Sequence, residues 1–326
     1  MKKPESATTP DPAFQALVRA QCAGNPRAMT TLGARLVVGR ETPAAPADGA
    51  ALIAQAAQEG DSEAWSYVAM LAAAGVGRVQ SWADSLAALH RAANLGDPKA
   101  ARQMQILRDI DIRDARGAKD WLCCATAQKL SSAPRLVTYQ SLLTQGLCSY
   151  LIERSAPKLV RAQVYDASRG VLKIDSMRTN SGAVFSLIET DVVIQLIRGR
   201  IAYAADVAMS ALEPPETLHY AVGECYKPHV DFFHPALPNF AEQMRVKGQR
   251  VMTCLIYLND DYEGGETDFP KIGIKFRGRV GEGLMFHNVR PNGTGDMATL
   301  HTGLAPTRGE KWLFSQWIRN KAQPIA

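Results

Sequence analysis

No stretch of this 326-residue chain looks able to cross a membrane. The longest uncharged apolar run, Trp65 to Gly77, is 13 residues, against the roughly 20 that a spanning helix needs. An apolar leader is also missing: MKKPESATTPDPA passes from two lysines straight into Pro, Glu and Thr, which argues against secretion. The six cysteines, at 22, 123, 124, 148, 225 and 254, contain no C-x-x-C, so neither a zinc knuckle nor a disulfide framework is indicated and a reducing compartment fits. Charge of neither sign dominates. Residues 1–125 hold 14 Lys and Arg against 13 Asp and Glu, and the remainder 23 against 19, without the concentrated basic character of a nucleic-acid binder. The 25 Gly and 18 Pro follow no fixed short period, and 46% hydrophobic against 21% charged residues is an ordinary globular balance, which excludes a filament or a disordered chain. A soluble cytoplasmic protein is expected, with no nucleic acid and no membrane among its partners.

What is present begins with length. Single cores usually stop growing at about 250–300 residues, so a chain of this size predicts two domains. Self-comparison finds AQCAGNPRA ending at Ala28, AAQEGDSEA ending at Ala64 and AANLGDPKA ending at Ala100, a period of 36 residues that aligns Gly24, Gly60 and Gly96. Each segment reads as the end of an Ala-rich helix, a glycine in the left-handed turn, an Asn or Asp N-cap and the start of the next helix. Such a unit buries its apolar face only against its neighbours. With Leu32-Gly33 and GDSEAWSYVAMLAAAGVG at 60–77, the pattern resembles Sel1-like repeats, relatives of tetratricopeptide repeats, over about residues 12–107. The resemblance implies either a concave surface for a protein partner or a scaffold. ETPAAPADGA at 41–50 reads as a Pro-rich insertion between helices, and the charged segment 108–120 carries the chain out of the repeats as a helix or a loop.

Beyond residue 125 the pattern changes. Thr144 and Asp191 are candidate N-caps for amphipathic helices. From about residue 217 come short strand-like runs, TLHYAVG, RVMTCLIYLN, IGIKFRG, GLMFHN, ATLHTGL and KWLFSQWI, separated by turn residues at the spacing of a sandwich or barrel. The fold class is therefore α+β, with a helical repeat (solenoid) domain over 12–125 and a β-rich domain with packed helices over 126–326.

Among six histidines only His229 has an acid two residues on, Asp231. Residues i and i+2 of a strand share a face and can share one ion, yet chance alone supplies a His-x-Asp in roughly a third of chains with this many histidines. The signal sharpens at His301, in a later strand-like run, with Lys311 ten residues further on. Two His and one carboxylate are the facial triad of non-haem Fe(II) oxygenases. A cation at Lys311 would suit the far carboxylate of a dicarboxylate cosubstrate.

YAVGECYKPHVD (220–231), RVMTCLIYLND (250–260), GGETDF (264–269), GEGLMF (281–286) and HTGLAPTRGEKW (301–312) together resemble the prolyl 4-hydroxylase branch of the 2-oxoglutarate- and Fe(II)-dependent dioxygenases over about residues 140–319. Gly278 departs from it, many members having Pro there. The resemblance implies a double-stranded β-helix (jelly roll), with His229, Asp231 and His301 as iron ligands and catalytic centre. It implies Lys311 as the salt bridge to the C5 carboxylate of 2-oxoglutarate, the Tyr257 hydroxyl beside it, and Tyr220 near the metal end of the cosubstrate. Tyr226, Arg250 and Trp317 match positions lining the target-proline pocket. The resemblance also implies dioxygen as the other substrate and ascorbate as the reductant, and the expected partner is a peptide or protein held by the N-terminal repeats. The reading is hydroxylation of a prolyl residue with formation of succinate and CO2. Alternatives are the same chemistry on a lysyl residue, a free amino acid or a small metabolite, or a repeat-based adaptor whose oxygenase domain is inactive. MRTNSGA at 177–183, small and polar, reads as a lid over the substrate.

Overall fold

The computed structural model describes residues 12–123, 125–166 and 171–325. Among these, helices occupy Pro12–Cys22, Pro26–Val38, Pro46–Gln58, Ser62–Ala74, Trp82–Asn94, Pro98–Asp109 and Ala115–Cys123. Gly24, Gly60 and Gly96 turn the chain between paired helices with φ of 79°, 97° and 88°, a region nearly free of cost only to glycine. Asn25, Asp61 and Asp97 then cap the following helix, accepting from the backbone N–H of Ala28, Glu63 and Lys99. Asp61 and Asp97 have a second use. Thr30 Oγ1 donates to Asp61 Oδ2 and Ser66 Oγ to Asp97 Oδ2, each at 2.5 Å across 31 residues, so one carboxylate both caps its own repeat and holds the one before it.

The 41–50 segment is only half an insertion. Pro46 opens a helix, a position where its missing N–H costs nothing. That helix crosses its neighbour so closely that a Cβ on Gly49 would come within 2.5 Å of the Gly33 carbonyl. The charged 108–120 segment splits: one helix ends at Asp109 and the next begins at Ala115.

Strands take over from Ala127, earlier than the sequence pattern suggests. The large sheet runs, in spatial order, 127–132, 135–139, 283–287, 250–257, 311–319, 216–220, 181–184 and 160–161, with antiparallel neighbours throughout. A second antiparallel sheet, ordered 274–276, 267–269, 301–303 and 226–229, faces it, giving the double-stranded β-helix. Alternation along the central strands divides their side chains between two cores. Leu255, Tyr257, Leu284, Phe286 and Leu313 point between the sheets with Phe269. Met252, Cys254, Ile256, Met285, Phe314 and Ile318 point outward, beneath the helices Gln145–Ser155 and Val192–Ala205. Thr144 caps the first of these helices and Asp191 the second. Asp191 also accepts the Tyr150 hydroxyl at 2.6 Å, joining the two. Among the described residues no helix is long and apolar enough to cross a membrane, and Cys22, Cys123, Cys148, Cys225 and Cys254 are free thiols.

The outer core does not stop at the β-rich half. Trp82, Leu86 and Leu89 of the repeats pack in one cluster with Val193, Leu196 and Ile197. The buried Gln103 side chain accepts from the Val192 N–H at 3.0 Å, so a repeat residue helps to cap a helix of the β-rich half. The repeats thus cover apolar surface that the β-sheet domain would otherwise expose. A fragment beginning at residue 126 is expected to lose this cover and to aggregate or melt well below the full chain. Calorimetry of the two would decide; equal melting temperatures would make the shared core energetically idle.

The segment read as a lid is structural. Ser181–Val184 is a strand of the large sheet, and Lys227 N–H donates to the Met177 carbonyl at 2.8 Å while Thr179 N–H donates to that of Cys225 at 2.9 Å. Small polar residues here serve strand pairing and close packing.

Candidate metal centre and cosubstrate pocket

His229 ends the Tyr226–His229 strand, and His301 opens the His301–Gly303 strand directly opposite it in register. Asp231 follows two residues after His229. One donor atom from each of the three lies within 4.8 Å of the other two, with His229 Nε2 3.7 Å from Asp231 Oδ1 and His301 Nε2 3.9 Å from Asp231 Oδ2.

Their surroundings fix their states. His229 Nδ1 lies 2.8 Å from the Lys227 carbonyl and His301 Nδ1 3.0 Å from that of Thr299. Carbonyls only accept, so Nδ1 is the donor in each ring and Nε2 is the nitrogen turned toward Asp231. Burial, with His301 beside it, pushes the His229 imidazole down to about 3. Burial opposes ionisation of Asp231, but His301, His229 and the Thr253 hydroxyl together hold its carboxyl below the ordinary value. Thr253 Oγ1 donates to Asp231 Oδ2 at 2.6 Å and accepts from Asn288 Nδ2 at 3.0 Å, a buried relay that orients the carboxylate. Two imidazoles and one carboxylate, with no thiolate in the cluster, fit a divalent iron centre. The aromatic packing is tight: Tyr226 stacks on His229 at 3.5 Å between centroids, and Phe286 and Phe269 flank His301 at 4.9 and 5.5 Å.

The cluster opens onto a small cavity, partly open to solvent, into which Lys311, Leu313, Ser315 and Trp317 all project. Odd positions on one strand share a face, so the six-residue spacing of Lys311 and Trp317 puts both on this wall. Lys311 pairs in register with Tyr220 and is fully buried. Its Nζ donates to the Gly265 carbonyl at 2.6 Å and lies 5.2 Å from the Tyr220 ring centroid. Burial pushes its ammonium down to about 7. Tyr220, whose phenol burial raises, and Tyr226 also line the cavity.

Two expected residues stand back from it. The Tyr257 hydroxyl donates to the Phe276 carbonyl and shares a hydrogen bond with Thr267 at 2.8 Å. The ring lies 5.6 Å from Lys311 Nζ, so it backs the lysine and its hydroxyl is already engaged. Arg250 is gripped by Glu213, at 2.6 Å from Nε and 2.9 Å from an NH group, and lies 3.8 Å over the Trp317 ring. It supports the indole where the ladder shifts register between Ile318 and Arg319. One lining residue is not evident from the sequence: Arg178, buried, paired with Glu216 at 3.0 Å and 5.0 Å from the Tyr226 ring centroid. Its only signal is a cation in a segment otherwise built of small polar residues.

A family profile described as the 2OG-Fe(II) oxygenase superfamily matches residues 215–319. The chain is 34% identical over 210 residues to "Probable prolyl 4-hydroxylase 3" of Arabidopsis thaliana, covering 58% of this chain and 70% of that one. Among solved structures it is similar to a viral collagen prolyl hydroxylase of Paramecium bursaria Chlorella virus-1, at 25% identity and TM-score 0.43 over 56% of this chain and 95% of that one. It is also similar to a Sel1 repeat protein from Oxalobacter formigenes, at 26% identity and TM-score 0.27 over 29% of this chain and 28% of that one.

Proposed function

This chain belongs to the prolyl 4-hydroxylase family of 2-oxoglutarate- and Fe(II)-dependent dioxygenases, and from that premise we propose that it hydroxylates a prolyl residue of a peptide or protein. The observation that carries the reading is that the donor atoms of His229, Asp231 and His301 open onto the same cavity that the buried Lys311 lines. His229, Asp231 and His301 would hold Fe(II). Bound there, iron with 2-oxoglutarate and dioxygen supplies oxidation of an unactivated C–H bond, with succinate and CO2 as products and ascorbate as reductant.

The protein's own part is positioning and exclusion of water. Lys311 anchors the distal carboxylate of 2-oxoglutarate, and Tyr220 lies against the same cosubstrate. Leu218, Leu255 and Leu313 keep the cavity apolar. Tyr257 holds Lys311 from behind. Trp317 offers an aromatic wall to a pyrrolidine ring, which is small, apolar and uncharged. Arg250 acts through Trp317, while Tyr226 and Arg178 form the opposite wall. The repeats are read as the hold on a longer polypeptide, and the compartment as the reducing cytoplasm that suits free thiols.

Trp317→Ala and Arg250→Ala are expected to weaken prolyl-peptide hydroxylation at least tenfold while leaving uncoupled 2-oxoglutarate turnover within about twofold, since they remove substrate wall and not cosubstrate anchor. Mass spectrometry for a one-oxygen gain on Pro-containing peptides, beside a succinate assay, separates the two. Oxygen gain on lysyl peptides or a free metabolite, with none on any prolyl substrate, overturns the reading.

A further inference from the structure

A second cavity lies apart from the metal cluster and shares no lining residue with the first. It encloses about 250 Å³ where the end of the Ser62–Ala74 repeat helix meets the Val192–Ala205 helix and the C-terminal segment. Apolar walls come from Val76, Phe185, Leu187, Met209, Leu212 and Ile325. An apolar cavity of about 150 Å³ takes benzene, so this one has room for a ring and a short chain.

Arg198 is the one cation among the described lining residues. Its NH groups donate to Gln195 Oε1 at 3.1 Å and to the carbonyls of Leu212 and Glu213 at 3.2 and 3.4 Å, and its Nε is buried without a partner. Every acceptor is neutral. The carboxylate of Glu213, whose backbone carbonyl Arg198 holds, is itself taken by Arg250 and Arg319, and Gln195 Nε2 is committed to Thr190 Oγ1. Burial lowers the guanidinium to about 10 with no charged neighbour acting on it. A cation taken from water and given no counter-ion is costly, and a planar guanidinium matches the flat two-oxygen face of a carboxylate.

We propose that this cavity binds a small apolar monocarboxylate, its carboxylate on Arg198 and its hydrocarbon body between Phe185, Leu187 and Met209. A dicarboxylate is disfavoured because the described walls hold no second cation. Since Val76 follows the repeat helix and Arg198 belongs to the oxygenase half, an occupant bridges the two.

The test is calorimetric titration of the full chain, without iron, using 3-phenylpropionate, the neutral 3-phenylpropanol and propionate. The expected result is a dissociation constant for 3-phenylpropionate at least tenfold tighter than for either analogue. It should be unchanged in Lys311→Met and weakened at least tenfold in Arg198→Met. Arg198 also holds two carbonyls, so a second variant, Ser210→Trp, fills the exposed rim while leaving the arginine in place and must weaken binding likewise. Equal affinity for the alcohol, loss of binding in Lys311→Met, retention in Ser210→Trp, or no binding of 3-phenylpropionate at millimolar concentration each overturns the proposal.

Discussion

His229→Ala, Asp231→Ala and His301→Ala are each expected to cut 2-oxoglutarate turnover by more than about a hundredfold and to abolish measurable iron binding. Loss of a residue that merely orients a metal ligand commonly costs 10–100-fold in affinity or activity, and loss of a ligand sets the larger effect. Thr253 supplies the graded comparison: it orients Asp231 through a 2.6 Å hydrogen bond to Oδ2 and is not itself one of the three ligand residues, so Thr253→Val should fall within the 10–100-fold range. The three ligand variants should differ in folding. His229→Ala removes a ring from the cavity wall, whereas His301 is 5% exposed and packed against Phe286 and Phe269, so His301→Ala also leaves a void worth about 2–4 kcal/mol of stability. Iron titration by calorimetry, succinate assays with added Fe(II) and thermal melts of the metal-free variants check each part. A variant of any of the three that keeps near-parent iron affinity and turnover removes that residue from the ligand set.

Strand alternation makes this site readable before any fold is known. Lys311 and Trp317 share a face because six is even, and the His-x-Asp spacing marks His229 and Asp231 although the strand ends at His229 and Asp231 stands in the bend just beyond it. The repeats are readable for a related reason: Gly24, Gly60 and Gly96 mark the same left-handed turn at a fixed period. What the sequence hides depends on partners distant along the chain. Tyr257 has the same parity as Leu255 and points between the sheets, but its hydroxyl is taken by Thr267 and Phe276, which no local pattern announces. Arg250 is drawn to Glu213 across 37 residues. Arg178 is buried because Glu216 neutralises it, and its segment, in which small polar residues predominate, reads as mobile where pairing with Cys225 and Lys227 holds it. The strands Ala127–Ser132 and Arg135–Tyr139 at one edge of the large sheet lack the long apolar run that marks a central strand. The shared core of Trp82, Leu86 and Val193 has no sequence signature, since an apolar stripe does not name the surface it covers.

Lys311→Met should raise the Michaelis constant for 2-oxoglutarate by about 30-fold to a few thousandfold, because stranding one charge of a buried pair costs roughly 2–5 kcal/mol and about 1.4 kcal/mol is a factor of ten. Methionine keeps much of the length and the apolar stem of the lysine, so the loss reports the charge and not the packing. The parent should show a matching pH dependence. In the metal-free, cosubstrate-free chain burial places the Lys311 ammonium at about 7 instead of its ordinary 10.5. Below pH 7 the lysine is already charged and receives the carboxylate directly; above it, binding must take up a proton, so affinity for 2-oxoglutarate should fall as pH rises past about 7. The same burial acts on folding with a fixed sign. Below pH 7 both folded and unfolded chains hold the proton and the full cost of burying the ammonium is present. Between 7 and 10.5 the folded chain has released the proton while the unfolded chain retains it, so the cost shrinks as pH rises. Lys311→Met should therefore be more stable than the parent below pH 7, by an amount on the order of a few kcal/mol, with the difference vanishing toward pH 10.5. Denaturant melts of both proteins across that range, beside calorimetry of 2-oxoglutarate binding in buffers of different ionisation enthalpy to count protons, measure the two effects. An unchanged Michaelis constant in Lys311→Met would move the cosubstrate anchor to another residue, and binding of 2-oxoglutarate to the parent with no proton uptake at about pH 8 would mean that Lys311 is already charged before the carboxylate arrives.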